Sequence, residues 1–178
     1  MTFPESEDVR RKSLSGHFRI WEDVFNSLED EAKRKNVSLN TLVNQVLSAH
    51  TRDGVLWEEM GSVRLTKDAY RAFLSRIHDD ELEELGPVLA HGTPSAMMLA
   101  RKGSIDLDAV LDHLRFRSRF GWFSMQESQK NGRDTISFIH DFGPRESILL
   151  GSYLASLFGT VGVHPKITTT NSSVMVVY

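Results

Sequence analysis

The sequence predicts an α+β fold in two parts, a small strand–helix–helix module followed by a domain with helices and a mainly antiparallel sheet. In the first part, apolar residues alternate over residues 13–20 and then recur at helical spacing to about residue 50. In the second part, helical patterns precede a hairpin signal, another helix and an apolar β segment. We therefore expect a basic arm at 1–12, the module at 13–52, a linker at 53–61 and an α+β regulatory or oligomerisation domain at 62–178.

Composition is typical of a folded protein and excludes several kinds of chemistry. Apolar residues make up 40% of the chain and charged residues 25%, which argues against extended disorder. Cysteine is absent, so disulfides, thiolate zinc sites and thiol catalysis are excluded. No apolar run approaches the roughly 20 residues that cross a bilayer, and the first residues lack a signal-peptide core. We therefore expect a cytoplasmic protein without membrane association.

Charge is distributed unevenly along the chain. The net charge of −3 and the isoelectric point near 6.2 do not by themselves favour nucleic-acid binding. Between residues 9 and 20, however, four basic residues occur without any acidic one, and they are Arg10, Arg11, Lys12 and Arg19. Because the local field decides where phosphate is attracted, this segment is where we expect DNA to be attracted. For the arm at 1–12, phosphate contact and a merely solvated segment both stay open.

Residues 13–36 read as a strand followed by a helix. Apolar Leu14, Phe18 and Ile20, together with Gly16, alternate with the polar residues Ser13, Ser15, His17 and Arg19. From Trp21 the period becomes helical, and the apolar stripe consists of Trp21, Val24, Phe25, Leu28 and Ala32. Asn36 is a plausible left-handed end for this helix.

A second helix follows after one residue. Ser38 is placed to cap its N-terminus, and its apolar stripe consists of Leu39, Leu42, Val43, Val46 and Leu47. One strand and two short helices bury too little surface to be stable alone, and the strand leaves its edge open. Two copies whose strands pair antiparallel would bury the apolar face and present Ser15, His17 and Arg19 on a two-stranded ribbon. Such a ribbon fits the major groove of DNA.

These features resemble the ribbon-helix-helix family of DNA-binding proteins. The resemblance covers about 40 of the 178 residues and includes the opening of the second helix, Ser38-Leu39-Asn40. It implies an intertwined homodimer, base contacts from Ser15, His17 and Arg19, and phosphate contacts from Ser38, Leu39 and Asn40. To these we add phosphate contacts from Arg10, Arg11 and Lys12. Two features depart from the family, Gly16 on the buried face of the ribbon and the acidic residues Glu29, Asp30 and Glu31, which would repel phosphate.

The larger domain is predicted from its local signals. We expect a strand at 62–66 and helices at 67–77, at 79–91 with a break at Gly86-Pro87, at 93–102 and at 106–117. Strands at 121–128 and 134–142 should form a hairpin around Asn131-Gly132. A helix of about 15 residues after Gly143-Pro144 and a final strand ending at 174–178 complete the prediction.

His140 and Asp141 are the one candidate ligand site in this domain. The pair ends a strand just before a helix N-terminus, where small ligands and anions often bind, although simple capping of the helix explains it as well. The other histidines lack the spacing of a helical metal site, and no Gly-rich phosphate loop or nucleophile motif is present. We therefore predict no metal, no cofactor and no enzymatic activity.

Together these patterns predict a transcriptional regulator that binds specific sequences of double-stranded DNA. It would act as a homodimer, or as a tetramer through the larger domain, and would associate with the nucleoid when bound to DNA. The larger domain could also respond to an unidentified small-molecule effector. Two alternatives stay open: an antitoxin-like protein that binds a partner through this domain, and an enzyme dimerised by the module with His140 and Asp141 as its acid–base pair.

Overall fold

A computed structural model of the chain describes residues 14–54, 58, 61, 63–130 and 132–178, without the side chains of residues 52, 53 and 130. The chain divides into two compact units, and the boundary between them in the sequence falls between residues 55 and 56. The predicted phosphate contacts Arg10, Arg11 and Lys12 lie outside the described residues, as does most of the predicted linker.

The first unit contains two helices whose ends are set by local capping. Helix α1, Glu22–Lys35, has acidic residues in its first turn and basic residues in its last, as the helix dipole favours, and ends at Asn36 with a φ of 52°. Helix α2, Leu39–Ala49, begins where Ser38 Oγ accepts a hydrogen bond of 3.1 Å from the amide of Thr41. A π-helical turn, His50–Gly54, follows.

The predicted strand at 13–20 is not formed in the single chain. Residues 14–21 have no regular secondary structure, and the sheet that the structure describes lies entirely in the second unit. A lone strand has no backbone partner within its own unit, so its N–H and C=O groups cannot form a ladder. A two-stranded ribbon therefore requires a second copy of the chain.

The second unit is an α+β domain with an antiparallel sheet, as predicted. Its elements are α3 Lys67–Leu74, α4 Asp79–Ala90, α5 Thr93–Lys102, α6 Leu107–Ser118, β1 Ser124–Lys130, β2 Arg133–Ile139, α7 Pro144–Gly159, β3 Lys166–Thr169 and β4 Ser173–Val177. The strand order is β1-β2-β4-β3, and every neighbouring pair is antiparallel. The β1–β2 connection is a tight turn in which Gly132 has a φ of 75°.

The main core lies between one face of this sheet and the helices. Ile136 and Phe138 of β2 and Val174 and Val176 of β4 are buried, and the residues between them are more exposed. Residues of α6 and α7 complete this core, among them Val110, Leu114, Leu150, Tyr153, Leu154 and Phe158. A smaller cluster joins α3, α4 and α7 through Leu74, Leu82 and Leu149.

Several predictions for the second unit are wrong in detail. The first strand is Ser124–Lys130 rather than 121–128, and the second is Arg133–Ile139 rather than 134–142, so His140 and Asp141 follow the strand instead of ending it. Residues 63–66 form no strand, because the Thr66 side chain instead caps α3 by accepting a 3.2 Å hydrogen bond from the amide of Ala69. Helix α3 ends at Leu74 rather than residue 77. Helix α4 continues through Gly86-Pro87, where Gly86 packs closely on α7. The short strand β3 is not among the predicted elements. Its backbone pairing with β4, and not its composition, makes it a strand.

No helix within the described ranges has both the length and the apolar character needed to cross a bilayer.

Candidate functional site

The first unit exposes most of its apolar residues. Among residues 14–54, the buried apolar side chains are those of Ala32 and Leu42, whereas Leu14, Phe18 and Trp21 are 87%, 80% and 81% exposed. Further exposed apolar residues are Ile20, Val24, Phe25, Val46 and Leu47. Large apolar side chains left exposed in this number within one small unit are typical of an interaction surface.

The predicted base-contacting residues belong to the same segment as part of this apolar surface. Ser15, His17 and Arg19 are all exposed, and they alternate with Leu14 and Phe18 along the extended chain. Both the polar and the apolar side chains of this segment are therefore accessible in the single chain. Separation into two faces would follow from pairing with a second strand.

The start of α2 has the geometry of a capped helix N-terminus. The Ser38 hydroxyl is hydrogen-bonded to the amide and hydroxyl of Thr41, at 3.1 and 2.8 Å. The amides of Leu39 and Asn40 lie in the first turn, which has no preceding carbonyl acceptors within the helix. Exposed Ser38 and Asn40 leave this end of the helix open to a phosphate group.

The acidic triplet of α1 is accompanied by nearby lysines. Lys33 forms ion pairs with Glu29 and Asp30, at 3.7 and 3.6 Å, and Lys35 forms one with Glu31. These i,i+3 and i,i+4 pairs reduce the local negative field that the sequence places in the module. The charge of the triplet is therefore partly neutralised within the helix itself.

His140 and Asp141 are adjacent in the chain but make separate contacts. His140 is buried, shares a 2.9 Å hydrogen bond with the Ser147 hydroxyl, and accepts one of 3.4 Å from the amide of Phe142. Burial lowers the pKa of His140, which favours the neutral ring. The Asp141 carboxylate is half exposed and pairs with Lys67 at 2.8 Å, which lowers its pKa. Both groups therefore have structural partners of their own.

A cavity of about 610 Å³ opens on the second unit. Its aromatic lining comes from α3, from the loop after α6, from the segment before α7 and from α7 itself. These residues are Tyr70, Phe120, Trp122, Phe142 and Tyr153. The charged residues that line it are Lys67 and Arg117, and both are cationic. This concave, mostly apolar surface with a few polar groups is typical of a small-molecule site.

Behind this lining lies a buried carboxyl group. The Tyr70 hydroxyl donates a 2.8 Å hydrogen bond to Glu146 Oε2, whereas the fully buried Glu146 Oε1 has no hydrogen-bond partner. Burial raises the pKa of Glu146 to about 7, although Tyr70, the nearby Trp122 N–H and Arg117 act to lower it. Glu146 is therefore partly protonated near neutral pH.

A second buried polar pair lies next to the cavity. His113 Nε2 shares a 3.1 Å hydrogen bond with the Tyr153 hydroxyl, and both residues are almost completely buried. Burial lowers the pKa of His113 to about 3, which keeps the imidazole neutral at physiological pH. Burial also raises the pKa of Tyr153 to about 12.

The sequence did not single out Tyr70, Arg117, Trp122 or Glu146. Glu146 follows Gly143-Pro144 in the first helical turn, where an acidic residue is ordinarily exposed and is favoured by the helix dipole. In the described parts of the chain, no three His, Asp or Glu side chains are grouped so that they could hold a metal ion.

No family model, curated protein or solved structure matches the chain.

Proposed function

We propose that the protein is a transcriptional regulator that binds specific double-stranded DNA sequences as a homodimer through its ribbon-helix-helix module. The observation that carries this proposal is the exposure of Leu14, Phe18 and Trp21 in a segment whose polar positions include Arg19. A stable module would not leave these large side chains in water, and burying them is the dominant favourable contribution to association. A second copy of the segment supplies both the apolar partner and the missing backbone partner.

The polar positions provide the groups that DNA recognition needs. Pairing of two copies would place Ser15, His17 and Arg19 from each chain on the outer face of the ribbon, and arginine reads guanine through two hydrogen bonds. The open N-terminus of α2 at Ser38 would bind backbone phosphate. The second unit would then serve as the regulatory or oligomerisation domain.

The alternative role as an enzyme receives less support. It needs His140 and Asp141 to act together, but these two groups have separate structural partners, Ser147 for the first and Lys67 for the second. No contact among the described residues favours the antitoxin-like role.

Neighbouring positions of the segment provide a test of the dimer. Phe18→Asp should convert a dimer of about 40 kDa, twice the 20.2 kDa of one chain, into a monomer, because a charge would enter the buried face. Ser15→Asp introduces the same charge on the outer face and should leave the dimer intact while it weakens DNA binding. Light scattering after size exclusion measures both masses. A dimeric Phe18→Asp variant would contradict the proposed pairing.

DNA recognition is tested with duplexes that carry the protein's own promoter or a scrambled sequence, at two salt concentrations. Wild type should prefer the promoter, and its affinity should fall with salt as counterions are released. Binding by Arg19→Lys should lose its sequence preference and keep its salt dependence. Lysine retains the positive charge but lacks the planar guanidinium that forms two hydrogen bonds with guanine. Arg34→Ala, an exposed cation at the end of α1, is the control and should keep the preference. Equal binding of both duplexes by wild type would overturn the proposal.

A further inference from the structure

The cavity of the second unit has an apolar wall that is open to water. Val63, Val88 and Phe120 line it and are 83%, 68% and 50% exposed, and the exposed Leu65 and Leu89 extend the same surface. A volume of about 610 Å³ lies within the range of roughly 300–1,000 Å³ found for small-molecule sites. The size and lining suit the apolar body of a small organic molecule.

The charges around this wall favour a negatively charged ligand. Lys67 and Arg117 line the cavity, and among the residues that the structure describes no aspartate or glutamate does. Lys67 lies over the ring of Phe142 at 5.6 Å and Arg117 over the ring of Trp122 at 4.3 Å. Because these aromatic faces already carry cations, a cationic ligand would meet both charge repulsion and occupied rings.

Arg117 contributes positive charge to the cavity beside its aromatic wall. Lys67 is paired with Asp141 at 2.8 Å, and the charge of Arg117 acts on two buried groups, Glu146 and Tyr153. Burial raises the pKa of Glu146 and of Tyr153, and in both cases the charge of Arg117 acts to lower it. Glu146 itself is fully buried behind Tyr70, so it is screened from a ligand in the cavity.

We propose that this cavity binds an amphipathic organic acid, whose apolar body contacts Val88, Leu89 and Phe120 and whose carboxylate lies near Arg117. The proposal concerns the second unit and does not rest on DNA binding by the first. The cavity would thereby give the protein a small-molecule ligand of defined chemical class. This site differs from the one that the sequence suggested, because neither His140 nor Asp141 lines the cavity.

The test uses the full chain and two probes of nearly equal shape, 2-naphthaleneacetate and its uncharged amide. Isothermal titration calorimetry at neutral pH should show the acid binding about tenfold more tightly than the amide. Arg117→Gln should weaken binding of the acid about tenfold and change binding of the amide less than about twofold. Arg119→Gln is the matched control, since it removes an exposed cation two residues away that does not line the cavity.

A second pair of variants is independent of Arg117 and of its contribution to folding. Val88→Glu and Val88→Gln introduce side chains of similar size at an exposed position on α4, and only the first adds a negative charge. The acid should bind more weakly to Val88→Glu than to Val88→Gln. Equal affinity of wild type for acid and amide would overturn the assignment of an anionic ligand, and failure of both probes to bind at millimolar concentration would overturn the site. Neither result depends on DNA binding.

Discussion

Replacing Glu146 with glutamine should change how the stability of the second unit depends on pH. The Glu146 side chain is fully buried, and one of its oxygens lacks a hydrogen-bond partner. Burial raises the pKa of this carboxyl from its ordinary value of 4.5 to about 7. Glutamine has nearly the same shape, can accept the same hydrogen bond from Tyr70 and cannot ionise. The substitution therefore removes the titration with little change in packing.

The sign of the effect follows from where the proton is bound. Between pH 4.5 and about 7 the folded protein keeps the proton of Glu146, whereas the unfolded chain releases it. The contribution of protonated Glu146 to the free energy of unfolding is therefore fully present below about pH 4.5. It is lost as the pH rises from there through about 7. The pKa difference corresponds to about 3 kcal/mol, most of which is lost between about pH 5 and about pH 8.

His113 acts in the opposite direction and masks this effect in the wild type. Burial lowers the pKa of His113 from 6.5 to about 3. Between these two pH values the unfolded chain binds a proton at His113, whereas the folded protein does not. Stability from neutral His113 is present above about pH 6.5 and is lost as the pH falls. Wild type should consequently show a shallow pH dependence, and Glu146→Gln should become clearly more stable toward alkaline pH.

Urea denaturation monitored by Trp122 fluorescence measures this difference. Trp21 and Trp57 are replaced by phenylalanine in every protein compared, so that the signal reports only the second unit. The free energy of unfolding of Glu146→Gln, relative to the reference, should rise by roughly 2 to 3 kcal/mol between about pH 5 and about pH 8. Glu83→Gln, which removes an exposed carboxylate of α4, is the control. A change for Glu146→Gln within about 0.5 kcal/mol of the control would refute the reasoning.

Three further substitutions test the packing and the helix ends by the same denaturation measurements. Gly86→Ala should destabilise the second unit by about 1–3 kcal/mol, because its Cβ would lie 1.9 Å from Ser152 Oγ, whereas Gly159→Ala, with nothing within 4 Å, should not destabilise it. Ser38→Ala should lower the free energy of unfolding of the first unit by about 1 kcal/mol, because the α2 cap is lost. Circular dichroism of the proposed dimer during urea denaturation measures this change. Arg145→Met should cost about 1.5–3 kcal/mol, since it leaves two carbonyls at the C-terminal end of α3 without their charged donor. Unchanged midpoints for Gly86→Ala or Arg145→Met would show that α3 and α4 adjust freely on α7.

Elements with strong local signals were predicted well from the sequence. Asn36 ends α1 and Ser38 begins α2, because left-handed backbone and side-chain capping depend on a few consecutive residues. Gly143-Pro144 likewise marks the start of α7, and Gly132 in its positive-φ conformation lies in the hairpin turn. The α+β class with an antiparallel sheet follows from these local signals taken in order.

Other features depend on partners that are distant in sequence. The strand predicted at 13–20 has no partner within its own chain, β3 exists through its pairing with β4, and α4 continues through Pro87 while Gly86 packs on α7. In each case the competing structures differ little in local energy, so backbone pairing or packing decides between them. Local residue types cannot supply that information.

The sequence by itself determined the capped helices, the hairpin, the α+β class and the alternating segment on which the proposed DNA-binding function rests. Only the tertiary structure decided which polar groups are buried. Tyr70 and Glu146 are separated by 76 positions, and their 2.8 Å hydrogen bond, together with the cavity beside them, arises when α3 and α7 pack together. The physical reason is that a helix cap is set by neighbours along the chain, whereas desolvation of a carboxyl group is set by everything that surrounds it in space.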